Sequence, residues 1–300
     1  MATTKARSNK RIHSLGIENT EVGSEVAGLS GIDQQIGSEL PEFMHGHRKK
    51  LLFFARCLKS YAADRGLRAG EVRVLELGCG NGQNVAIPLS RLGFDVTGVD
   101  PHRPSIEFAS RSSQPNLRFI ASDYKSYASD DRFDQVILSD VLEHVPDPGE
   151  LLTFARALLK EGGEVLISIP NGYGPYEIEQ YLIRVGVLRL PLMLVRVLVR
   201  LGAAVKSWIR GRTLTAPPLA PLNLESGHIQ HLTLRSFHQL LRVSGLMVSE
   251  TSNGIWFGGD LSYFAFYFIP ALVPLTLRIA DHLPRGFVST WYFRCSVRGD

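Results

Sequence analysis

The chain has 300 residues, 44% of them hydrophobic and 21% charged, which is enough apolar content for one large globular domain with decorations. Its formal charge of +4 and pI near 9.0 are too mild to call for a nucleic-acid partner, although they permit an anionic substrate or a lipid surface. Three cysteines, Cys57, Cys79 and Cys295, lie far apart and are odd in number, which points away from a disulfide framework or a zinc site and fits a reducing cytoplasm.

In chain order, residues 1–40 mix Ser, Thr, Gly and Glu with no apolar period and read as flexible. Their polar, basic start leads into no apolar stretch, so no secretory signal is expected. From Glu42 to Asp64, Leu51, Phe54, Ala55, Leu58 and Ala62 recur at helical spacing behind the basic turn Arg48, Lys49, Lys50. That spacing predicts a helix lying on a sheet or closing a cleft. The aliphatic run Val72 to Leu77 predicts a strand, which breaks into Gly78, Cys79, Gly80, Asn81 and Gly82. The periodic Val85, Ile87, Leu89 and Leu92 predict a helix beyond it. Glycine at every second position lets the backbone turn sharply and a ligand approach it, while unpartnered amides at the helix start favour an anionic group on that ligand.

The pattern repeats as strand (Phe94 to Asp100), helix (Pro104 to Ser110), strand (Leu117 to Ala121) and strand (Phe133 to Leu138), which predicts βαβ units and a parallel sheet. Asp100 closes the second strand about 18 residues beyond Gly82, near the distance at which an acid accepts hydrogen bonds from ribose hydroxyls. Asp123 follows the third strand at the same edge. Asp147, Pro148 and Glu150 predict a capping box for the helix Leu151 to Leu159, Gly162 and Gly163 are expected to stop that helix, and Glu164 to Ile169 reads as a fifth strand. Just past the fourth strand, Asp140, Glu143 and His144 are spaced i, i+3, i+4 and would share one face of a helical turn.

The glycine loop of Val74 to Gly82, Val96 to Asp100, Asp123, Phe133 to Pro146 and Lys160 to Pro170 resemble, in order and spacing, the successive motifs of class I S-adenosylmethionine-dependent methyltransferases, most of all the ubiquinone-biosynthesis-type O-methyltransferases. The resemblance implies a Rossmann-like, doubly wound α/β fold with a seven-stranded sheet whose last strand is antiparallel. Leu246 to Thr251 and Trp291 to Val297 would be its sixth and seventh strands, after a helix Leu234 to Val243 capped by Thr233. It also implies S-adenosylmethionine as cofactor, with Glu76 near the methionine amine and Asp123 near the adenine. Gly78, Cys79, Gly80, Gly82, Asp100, Tyr124 and Ser139 would complete its site. A nicotinamide enzyme would share the strand, loop and acid, but its fingerprint asks for a third glycine where this chain has Gln83.

For the chemistry, Glu143, His144 and the later His228 are the candidate catalytic residues. In small-RNA terminal ribose methyltransferases and some ubiquinone-type enzymes, an acidic-x-x-Glu-His run plus a later histidine binds a divalent metal. Asp140, Glu143, His144 and His228 would be the ligands here, Asp140 being one methylene shorter than the glutamate of the RNA enzymes. The alternative leaves Glu143 or His144 to act without metal.

Within a methyltransferase domain spanning 41–300, two insertions remain. Residues 173–224 place Arg189, Arg196 and Arg200 on one helical face of a Leu- and Val-rich stretch, as in a lid or a helix lying on an anionic bilayer. Residues 254–290 carry a charge-free run from Leu261 to Leu277, interrupted by Pro270 and Pro274 and short for a membrane span. Together they suggest an acceptor with a greasy or lipid-linked part and peripheral contact with membrane; with the resemblance, the expectation is O-methylation of a small-molecule, glycan- or lipid-linked acceptor by a cytoplasmic protein. RNA ribose methylation and a non-catalytic binding protein at a membrane surface are the alternatives.

Overall fold

In the computed structural model, which describes residues 45–112, 114–194, 197, 227–259 and 272–298, seven strands form one sheet. They are β1 (Arg73–Leu77), β2 (Asp95–Asp100), β3 (Leu117–Ala121), β4 (Phe133–Ser139), β5 (Leu159–Pro170), β6 (Leu246–Asn253) and β7 (Thr290–Val297). Their order is β3-β2-β1-β4-β5-β7-β6. The first five pair in parallel, and β7 runs antiparallel between β5 and β6, as expected from the sequence.

The helices are α1 (His45–Asp64), α2 (Ala86–Arg91), α3 (Arg103–Ala109), α4 (Pro148–Ala157), α5 (Pro175–Arg184), α6 (Leu234–Val243) and α7 (Leu272–His282). The central strands are aliphatic at consecutive positions because both faces of the sheet are covered. Val74, Ile137, Leu166 and Tyr292 face Leu51, Phe54 and Leu58 of α1 together with α2. Their neighbours Leu75, Val136, Ile167 and Phe293 face Leu152 and Ala155 of α4, Phe237 and Leu241 of α6, and Ala280 of α7.

Two local expectations are corrected. Helix α4 ends at Ala157, before Gly162 and Gly163; Gly162, at φ 69°, instead lies inside β5, where the register against β4 shifts between Phe133 and Gln135. The cap of α4 is half a box: the Asp147 carboxylate accepts from the Glu150 amide at 3.0 Å, but the Glu150 side chain turns away to Tyr124 and Lys125. Residues 1–44 and the stretches 195–196, 198–226 and 260–271 lie outside the described residues. With them lie the N-terminal segment expected to be flexible, most of the arginine stripe and most of the charge-free run. No helix among the described residues is long and apolar enough to cross a membrane.

Candidate active site

The strand order reverses direction between β1 and β4, and ligands of open α/β sheets bind outside the carboxyl ends of the strands at such a reversal. A cleft of about 580 Å³ opens there, lined among others by Gly78, Gly80, Asp100, Asp123, Tyr124, Asp140 and His144. The loop after β1 is pinned to β2 by bonds from the Gly78 and Cys79 amides to the Val99 carbonyl, at 2.7 and 3.1 Å. Gly78 and Gly82 adopt φ of 76° and 71°, and a Cβ at Gly82 would stand 2.5 Å from the Phe119 ring. The alternating glycines are therefore demanded by backbone conformation and by packing.

Asp100 accepts from the Gly80 amide and from the His102 amide, both at 2.8 Å, so the acid at the end of β2 also holds the glycine loop in place. Asp123 accepts from the Lys125 amide at 2.9 Å, the local turn expected of such a residue, while still lining the cleft. Glu76, Cys79, Gly82 and Ser139 do not line it. Cys79 is buried with its sulfur toward Gly98, and Glu76 is 3% exposed with Oε2 lacking a partner. Burial pushes the Glu76 carboxyl up to about 8, against the charge of Lys50 and the Ala86 amide. A buried carboxyl with one oxygen left unpartnered, next to the glycine loop, fits a cationic group on a ligand of the cleft.

The acidic run divides. Asp140, at φ 54° the one non-glycine residue with positive φ among the described residues, is bonded by Lys50 Nζ at 2.5 Å and by the Ser168 hydroxyl. Although burial alone would raise it, Lys50 and Ser168 hold the Asp140 carboxyl below its usual range. Glu143 and His144 lie instead on a 3-10 turn (Leu142–His144) and meet His228, their candidate ligand atoms all within 4.8 Å of one another. The His144 and His228 rings stand 5.0 Å apart. The segment carrying His228 is tied down where the Ile229 and Gln230 amides donate to the Glu143 carbonyl at 2.9 and 3.1 Å. Glu143 is 1% exposed, its Oε2 lacks a partner, and burial followed by the Asp140 charge raises its carboxyl well above the usual range. Two imidazoles and an unpartnered carboxyl are a donor set that fits a divalent cation. Asp140 is not among them, because both its oxygens are engaged elsewhere.

Three functional positions escaped the sequence reading. Lys50 was visible only as part of a basic turn, yet it is 4% exposed and joins α1 to the cleft wall. His47, one turn earlier, is half-buried with its Nδ1 shut from solvent and unpartnered, and burial and the charge of Lys50 lower it to about 4. Glu177, in the first turn of α5, lies 2.6 Å from Nδ1 of His228. Pro175 at N1 signalled that helix start, but nothing local linked it to a histidine 51 residues on.

A family model described as a methyltransferase domain matches residues 44–251. The ubiquinone biosynthesis O-methyltransferase of Bradyrhizobium diazoefficiens is 37% identical over 123 residues, 39% of this chain and 47% of that protein. Its counterpart from Cereibacter sphaeroides (strain ATCC 17025) is 38% identical over 106 residues, 33% of this chain and 42% of that protein. The chain thus spans less than half the length of either relative. Among solved structures, magnesium protoporphyrin IX methyltransferase from Synechocystis PCC 6803 with bound SAH is 15% identical, covering 84% of this chain and 86% of that one, with a TM-score of 0.43. At that level the likeness says nothing about chemistry.

Proposed function

The chain belongs to the methyltransferase-domain family, and from that premise we propose that it transfers a methyl group from S-adenosylmethionine to a hydroxyl of a small acceptor, one that carries an apolar, lipid- or glycan-linked part. The observation that carries the reading is continuity: His144 lines the glycine cleft and also belongs to the Glu143–His144–His228 cluster, so donor and acceptor sites share a wall. S-adenosylmethionine, when bound, supplies a sulfonium methyl for in-line displacement. The loop Gly78 to Gly82 and Asp100 would hold it, Glu76 would face its ammonium and Asp123 its adenine. Most of the acceleration then comes from holding the acceptor oxygen at attack distance, worth up to about 7–11 kcal/mol in favourable cases. On the metal-free route one histidine of the cluster accepts the hydroxyl proton, a contribution on the order of 10² to 10⁴-fold. A divalent cation, when held by Glu143, His144 and His228, supplies a Lewis acid that lowers the hydroxyl pKa.

The apolar acceptor part is supported by α5, which buries none of its residues and exposes Ile178 and Tyr181, and by exposed Val187 and Leu190 just after it. Such a patch on the insertion next to the site suits a greasy tail or a membrane surface better than free solvent. Transfer rates of Glu143→Gln, His144→Ala and His228→Ala, each measured with and without EDTA, test the assignment. Losses in all three are expected, and sensitivity of the unsubstituted protein to EDTA marks the metal-assisted route. Unchanged rates in all three would remove the cluster from the chemistry.

A further inference from the structure

We propose that Glu177, carried on the insertion after β5, is a positioning residue: it fixes His228 in the tautomer with its proton on Nδ1 and thereby turns Nε2, as a lone pair, to the site. The insertion is then part of the catalytic apparatus and not only a cover.

Glu177 Oε1 lies 2.6 Å from His228 Nδ1, and its side chain is 12% exposed. An ionised carboxylate can only accept, so the imidazole nitrogen facing it must carry the proton. Glu177 stands in the first turn of the ten-residue helix α5, as its third residue. The other oxygen, Oε2, stands 3.8 Å from His231 Nδ1, so the carboxylate is bracketed by two imidazoles.

The start of α5 is rigidly placed. The Tyr176 amide donates to the Ser289 hydroxyl at 3.1 Å, Asn171 donates to the Gly286 and Val288 carbonyls, and a Cβ on Gly174 would come within 2.7 Å of the Val288 carbonyl. These contacts come from the end of β5 and from the approach to β7, so two sheet strands set where Glu177 sits. His144 is ordered in a similar way, because its Nδ1 faces the Gly227 carbonyl at 3.2 Å and a carbonyl accepts only. Both rings therefore carry their proton on Nδ1. The His144 Nε2 atom lies 3.9 Å from Glu143 Oε1. Orientation of an imidazole by a carboxylate behind it is what lets the far nitrogen take a proton or hold a cation in a fixed direction.

The test has two arms, of which only the kinetic one rests on the methyl-transfer reading. Nitrogen-15 NMR of the imidazoles, with His228 assigned by His228→Ala, should find His228 protonated at Nδ1 and should find that state lost in Glu177→Gln. In methyl transfer, Glu177→Gln should lower kcat on the order of 10- to 100-fold with donor affinity unchanged. Glu177→Asp should recover part of that loss, and Glu177→Gln should add nothing in the His228→Ala background. His228 protonated at Nε2 in the unsubstituted protein, or a tautomer that Glu177→Gln does not alter, overturns the proposal. If no acceptor is ever methylated, the activity reading fails, and the NMR arm still decides the role of Glu177.

Discussion

Glu76 shows how one buried side chain links cofactor site and stability. Its carboxyl has an ordinary value of 4.5 and sits at about 8 in the fold. Between those values the folded protein keeps a proton that the unfolded chain has released, so the stability contributed by Glu76 is complete below about 4.5 and is lost as pH rises through about 8. The unliganded protein should therefore lose stability between about pH 4.5 and 8, at up to about 1.4 kcal/mol per pH unit for this one proton. Melting curves of Glu76→Gln should be flatter over that window, and identical slopes would show that Glu76 is ionised in the fold. Lys50 acts beside it. Removing its ammonium in Lys50→Met leaves Asp140 in a left-handed backbone conformation with only Ser168 to hold it. The expected cost is roughly 1–3 kcal/mol in denaturant unfolding, together with weaker donor binding, because Asp140 lines the cleft.

At the scale of elements, the segment bearing His228 runs straight into α6, whose cap is a reciprocal pair: Thr233 accepts from the Ser236 amide and the Ser236 hydroxyl accepts from the Thr233 amide. Thr233→Ala should cost about 1 kcal/mol of stability, read from the urea midpoint, and leave donor affinity intact because α6 does not line the cleft. This cap, the presence and order of the strands and the glycine loop were legible in the sequence because each is written in adjacent residues: apolar runs, capping pairs and turn glycines; the early start of β5 at Leu159 was not. The cluster was half legible. Glu143 and His144 adjoin each other, but the i, i+3, i+4 spacing suggested that Asp140 would join them. Asp140 instead has a positive φ and bonds a lysine 90 residues earlier. Lys50 and Glu177 were missed for the same reason, since their partners are brought to them only by the packing of α1 on a completed sheet and by the seating of the start of α5 against Ser289 before β7.

For the whole molecule, the sheet presents the carboxyl ends of β1, β2 and β4 to one cleft, while α5, after β5, brings Glu177 to the cluster and exposes Ile178 and Tyr181. A pair of substitutions, Ile178→Ser with Tyr181→Ser, should raise KM for a long-tailed acceptor and leave a short one unaffected; equal effects on both would detach the patch from substrate. All of this depends on the cleft being a methyl-donor site. Titration calorimetry of the protein with S-adenosylmethionine and, in parallel, with NAD examines that directly. Saturable one-site binding of S-adenosylmethionine, weakened in Asp100→Ala, and no heat with NAD is the outcome expected here. Heat with NAD alone, or with neither, would contradict it.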